Sequence, residues 1–156
     1  MADGDDPQTQ VFMAETLEAC ASFNMKRAAR RVARLYDDAL RPVGLRSTQL
    51  AILMGIGAQT TSNLSHLAER LGLSPSALTR ALKPLTREGW VVVSQSGATS
   101  NARLTEDGVG LVERAFPYWE RAQSQVAEML DDDTSGFLRS VNKLNGASDH
   151  EPAEAD

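Results

Sequence analysis

Between Asn63 and Thr105, two short helical patterns are followed by an apolar strand-like run and an alternating one. Leu64, Leu67, Ala68 and Leu71 keep helical spacing after Asn63, a residue suited to cap a helix. Leu71-Gly72-Leu73 leaves room only for a tight turn, the kind that sets two helices at a steep angle. Ser74-Pro75 opens the next helix, with serine as N-cap and proline at the first helical position, where a missing N–H costs nothing. That helix is expected to reach Glu88, with Gly89 as its stop. Trp90 to Val93 and Asn101 to Thr105 then read as the strands of a two-stranded hairpin, and the turn-rich Ser94 to Ser100 lies between them.

The helix that starts at Pro75 has two distinct sides. Leu78, Ala81, Leu82 and Leu85 face inward at i, i+3, i+4 and i+7. Ser76, Thr79, Arg80, Lys83 and Arg87 occupy the other side, with three positive charges, small hydroxyls and no acid before Glu88. Such a stripe alone reads as a solvated face. Its setting, after a glycine turn and before a hairpin, turns the reading toward the major groove. Arginine can fork onto guanine O6 and N7, hydroxyls can bond bases or phosphates, and a helix N-terminus at Ser74 attracts phosphate. Arg46 and Arg103 are added as candidate contacts from the flanking elements. Pro84 should kink this helix or distort its last turn.

Outside this segment the chain is helical. From about Val11 to Leu40, Leu17, Ala21, Ala28, Val32, Leu35 and Ala39 keep 3- and 4-residue spacing or its sum. A helix of that length spans about 45 Å, more than the core of one small domain can cover. Its uncovered part needs a partner, and a second copy of the chain is the simplest one. A second helix is expected from Thr48 to about Ile56, with Ser47 as its cap. Thr105 should cap a long helix to Leu130, interrupted by a kink at Pro117, and Asp131 to Thr134 should start a last one to about Leu144. Residues 1–10 and 146–156 read as disordered acidic tails around a single domain, 11–145.

The net charge of −5 is unusual for a nucleic-acid binder until it is located. Residues 1–10 and 144–156 hold seven acids and no base, which leaves 14 acids against 16 bases in between. No run approaches the roughly 18–20 apolar residues of a membrane span, the first residues are acidic rather than signal-like, and one cysteine excludes an intrachain disulfide. These features point to the cytoplasm. Catalysis finds no support: His66 and His150 form no metal spacing with Cys20 and no triad with a serine. Neither cofactor nor metal is expected, since Asp131 to Asp133 lack the spaced ligands of a calcium loop.

Four stretches together resemble the MarR family of regulators. They are Asn24 to Leu50, Leu67-Ala-Glu-Arg-Leu-Gly-Leu-Ser74, Leu78-Thr-Arg-Ala-Leu-Lys-Pro-Leu-Thr-Arg-Glu-Gly-Trp-Val91, and Leu104-Thr-Glu-Asp-Gly108. The resemblance covers about 12–145 and implies a mainly α, winged helix-turn-helix fold of about six helices and a hairpin wing. It further implies a homodimer joined through 11–45 and 106–145, a DNA-binding part at 46–105, and a double-stranded, pseudo-palindromic operator. Repression released by a small phenolic or aromatic ligand is also implied. One feature departs from the family: its wings carry an Asp-x-Arg motif, whereas Gln95 to Ser100 is uncharged and only Arg103 remains, outward if Leu104 points to the core.

Two other readings stand beside this one. A thiol-based oxidant sensor would use Cys20 on the first helix, although Glu15 and Glu18 nearby work against a thiolate. A protein-interaction module would keep the fold and lose DNA binding. Arg27, Arg30, Arg31 and Arg34 on the first helix read as solvated charge, or as contacts to phosphate or an anionic effector. Tyr118 and Trp119 read as packing residues compatible with a ligand pocket.

Overall fold

The computed structural model describes residues 6–59 and 62–146. Its elements are α1 (Pro7–Ala19), α2 (Ala21–Leu40), a 3-10 turn (Arg41–Val43), α3 (Ser47–Gly57), β1 (Ser62–Asn63), α4 (Leu64–Arg70), α5 (Pro75–Arg87), β2 (Val91–Ser96), β3 (Thr99–Leu104), α6 (Glu106–Met129) and α7 (Thr134–Leu144). The core gathers Leu40, Leu45, Leu50, Ile52, Leu53 and Ile56 against Leu67, Leu78, Leu82, Leu85, Val91, Ala102 and Leu111. It therefore sits between α3, α4, α5, the small sheet and the first half of α6, and it fixes how α5 and the hairpin stand.

Side-chain caps mark the helix starts, as expected. Asn63 Oδ1 accepts from the N–H of Ser65 and His66 (2.9 and 3.2 Å), and Ser74 Oγ accepts from Ala77 N–H (3.2 Å). Thr105 Oγ1 accepts from Gly108 N–H (3.1 Å) and Asp133 Oδ1 from Gly136 N–H (3.0 Å). Each satisfies a backbone donor that the first helical turn leaves unpaired.

Several expectations need correction. The first helix is not continuous: Cys20, with φ −72° and ψ 111°, is extended and separates α1 from α2. Asn24 explains the joint, since its Nδ2 donates to the carbonyls of Glu18 (2.6 Å) and Cys20 (3.1 Å). Among the described residues the break raises the helix count from about six to seven, and it puts Cys20 in a joint rather than on a helix. Helix α1 also starts earlier, at Pro7, with Asp6 accepting from Gln8 N–H (3.4 Å), so residues 7–10 are helical. The rest of the expected tails, residues 1–5 and 147–156, lies outside the described residues.

Ser47 is not a cap. It is the first residue of α3, and both its N–H and its hydroxyl donate to Asp37 Oδ1 (2.7 Å each). The sheet has three strands, in the order β1-β3-β2, because Ser62 and Asn63 pair with Ala102 and Asn101. The hairpin strands also run further than expected, to Ser96 and from Thr99, leaving a two-residue turn at Gly97-Ala98. Gly97 has φ +61°, which this tight reversal requires and which glycine adopts without strain. Helices α5 and α6 continue through Pro84 and Pro117.

The start of α6 is locked to the wing. Trp90 O accepts from Thr105 N–H (3.1 Å), and Thr105 Oγ1 donates to Gly89 O (2.7 Å). Gly108 permits this approach: a Cβ there would lie 2.1 Å from Trp90 O.

Candidate nucleic-acid interface

Helix α5 splits as its sequence dictates. Leu78, Leu82 and Leu85 are buried, while Ser76, Thr79, Arg80, Lys83 and Arg87 are exposed on the opposite side, with Ser74 exposed at the helix start. Six of the eight candidate residues therefore share one exposed surface. Arg46 and Arg103 are exposed on other elements, at the head of α3 and on β3.

Their existing partners differ. Among the described residues, neither Arg80, Lys83 nor Arg103 joins an ion pair, so their charges face solvent uncompensated. Arg87 Nη2 lies 3.3 Å from Glu88 Oε1, a pair so exposed that it is worth little and opens readily. Ser74 is occupied as the cap, and its Oγ lies 3.2 Å from Ser76 Oγ. Thr79 Oγ1 donates back to Pro75 O (2.9 Å), which leaves it only lone pairs for a partner.

Arg46 is the most committed of the set. Its Nη1 lies 3.3 Å from Asp37 Oδ2, and its N–H donates to Gln49 Oε1 (2.9 Å). Burial alone would raise the Asp37 carboxyl, but the Ser47 N–H and hydroxyl and the Arg46 guanidinium outweigh it and hold Asp37 below its ordinary value. This cluster ties α2 to the head of α3.

The wing carries no charge from Val91 to Ala102. Arg103 stands opposite Val92, and the burial of Ala102 sends Arg103 outward, as expected. Val92 and Val93 are exposed on the edge strand, which their apolar character did not foretell.

Sequence reasoning missed a cavity of about 620 Å³ between α2, α3, α4 and α6. Val32, Tyr36, Met54, Leu71 and Trp119 line it, with Arg70 as its cation. The Tyr36 hydroxyl donates to Gln123 Oε1, and burial pushes the phenol above its ordinary value. Only the aromatic Trp119 signalled this site in the sequence. Among the described residues no group of three or more His, Cys, Asp or Glu could hold a metal ion.

Residues 45–103, the helix-turn-helix and hairpin, match the model of the MarR family. Across most of the fold, the transcriptional regulator MosR of M. tuberculosis, solved in complex with DNA, is 33% identical. That match has a TM-score of 0.74 and covers 81% of this chain and 94% of MosR. The chain belongs to the MarR family. The transcriptional regulator ZitR of Lactococcus lactis subsp. cremoris is 34% identical over 94 residues, which is 57% of this chain. An HTH-type transcriptional regulator of Bacillus cereus is 30% identical over 84 residues, 54% of this chain. The matched stretches span 63% and 57% of those two curated relatives. The transcriptional repressor CouR, known from Rhodococcus jostii RHA1 and solved with p-coumaroyl-CoA, is 25% identical with a TM-score of 0.72. That match covers 81% of this chain and 91% of CouR. MarR-family relatives are transcriptional regulators, not enzymes. Among the described residues no helix is long and apolar enough to cross a membrane.

Proposed function

We propose that the chain is a cytoplasmic repressor that binds double-stranded DNA as a homodimer, with α5 in the major groove, and leaves it on binding a small aromatic acid. The exposed, unpaired cations of α5 carry this reading: Arg80 and Lys83 share a face with Ser76 and Thr79 and have no carboxylate partner among the described residues. A face meant only for solvent has no need of two bases without a carboxylate partner, whereas phosphates and guanine edges suit that pattern. The DNA complex of MosR, a relative of the same fold, supports it further.

Dimerisation is supported by apolar side chains that one copy leaves bare. Helices α1 and α7 bury no residue, and Val11, Phe12, Met13, Leu17, Phe137, Leu138 and Leu144 are exposed on them. A second copy would cover these terminal helices, leaving 46–105 of each copy to face a two-fold operator. The effector reading rests on the cavity lined by Tyr36, Met54 and Trp119. Its apolar walls suit a ring, and Arg70 suits a carboxylate. A ligand wedged between α2 and α4 would alter the separation of the two recognition helices, which must sit about 34 Å apart to dock together.

Arg80→Ala and Lys83→Ala test the interface. Arg80→Ala should cost ~1–3 kcal/mol in operator affinity and relax the preference at one base pair. Lys83→Ala should weaken every sequence alike. Titration of both variants with operator and with scrambled DNA reads the difference, and wild-type binding by both would make the face mere solvated surface.

A further inference from the structure

A second cavity, of about 450 Å³, opens where the end of α3, the end of β3 and the first turns of α6 meet. Its volume lies in the range of small-molecule sites, roughly 300–1,000 Å³. Leu53, Met54, Leu104, Val109 and Val112 form its walls, and Glu113 is the one charged residue lining it. The packing behind it is close: a Cβ on Gly57 would lie 2.9 Å from Leu104 Cδ1. Met54 and Val109 are exposed, so the apolar wall is open to an entering molecule. Glu113 takes part in none of the ion pairs among the described residues.

An apolar chamber bearing one uncompensated carboxylate selects for an apolar body with a single positive charge. It repels an anion of the same shape, and it offers a neutral molecule only the apolar part of the binding. The cavity proposed above for an aromatic acid shares Met54 with this one but carries Arg70 instead. The two chambers therefore have opposite charge preferences on either side of one flexible side chain. We propose that the cavity at Glu113 is a separate binding site for small lipophilic monocations, such as aryl-alkyl amines or quaternary ammonium compounds. This site does not depend on the DNA-binding reading, nor on the aromatic-acid reading of the neighbouring cavity.

The test uses the full chain without DNA and three water-soluble probes of similar length: 4-phenylbutylammonium, the neutral 4-phenylbutan-1-ol and 4-phenylbutyrate. Calorimetric titration should show the cation binding about two- to fivefold more tightly than the neutral probe, the scale of one partly solvated charge pair. Glu113→Gln should abolish that preference while leaving neutral binding unchanged. Val109→Lys, at an exposed position that tolerates a long side chain, should exclude the cation by placing an ammonium at the site. Arg70→Ala should leave the cation preference intact and affect only 4-phenylbutyrate. Equal affinity for cation and neutral probe, a preference that survives Glu113→Gln, one that disappears in Arg70→Ala, or no binding of the cation at millimolar concentration would each overturn the proposal.

Discussion

A methyl group on Gly108 would lie 2.1 Å from the Trp90 carbonyl oxygen, an acceptor that also holds Thr105 N–H. Gly108→Ala must therefore push the start of α6 away from the wing. The expected cost is about 1–3 kcal/mol or more, the scale of overpacking in a core. Urea unfolding reads it, and a change below about 0.5 kcal/mol would mean that α6 does not seat as described. Asp37 gives the second residue-scale prediction. Because its folded-state carboxyl lies below the ordinary value of 3.8, its contribution to stability is complete above that value. It is lost as pH falls through the lower folded value. Asp37→Asn should thus cost stability near neutral pH, with the gap to wild type closing as pH falls below 3.8. A gap that does not change with pH would contradict this. Gly108 could be seen in the sequence only as part of Thr105-Glu-Asp-Gly108, and Asp37 not at all, because its partner Ser47 lies ten residues away and also suited a cap.

Among the elements, α4 and α5 were the most legible, because side-chain caps and glycine stops at Asn63, Ser74 and Gly89 act within four residues of the groups they serve. The joint at Cys20 was not legible. Neither glycine nor proline marks it, and the Asn24 amide that holds it looks like any other polar position on a helix. Strand β1 is two residues long and has no periodicity to read. The wing was legible in kind but not in extent, since Ser94 to Ser96 and Thr99 to Ser100 pair although their composition suits a turn. Its lack of charge makes a prediction. A dimer that neutralises about 6–8 phosphates should show a slope of log affinity against log salt of roughly −5 to −7. Ala98→Arg, at the turn, should steepen that slope by up to ~2 and favour narrow A·T-rich minor grooves. Arg103→Ala should flatten it if that residue is the wing's contact. Three coinciding slopes would mean that the wing does not touch DNA.

At the scale of the whole molecule, one copy leaves two apolar helix faces bare. The core closes around α3, α4, α5 and the sheet, yet α1 and α7 bury nothing, and the charge of −5 is carried in good part by acids near the two ends. The continuous first helix that called for a second copy in the sequence is in fact two helices; the proposed dimer rests instead on the apolar side chains that α1 and α7 leave exposed. The cavities were not legible, because each is built from residues on three or four elements and no local pattern connects Tyr36 to Arg70 or Leu53 to Glu113. In the proposed mode of binding, two copies present two α5 faces to one DNA site. Selection of bound fragments from a random DNA pool by the purified chain, read by sequencing, tests it most directly. A two-fold symmetric site whose half-sites are about 10–10.5 base pairs apart should be enriched, and the enrichment should be lost when Arg80→Ala and Lys83→Ala are combined. A pool that stays random, or a single asymmetric site enriched equally by the double variant, would contradict it.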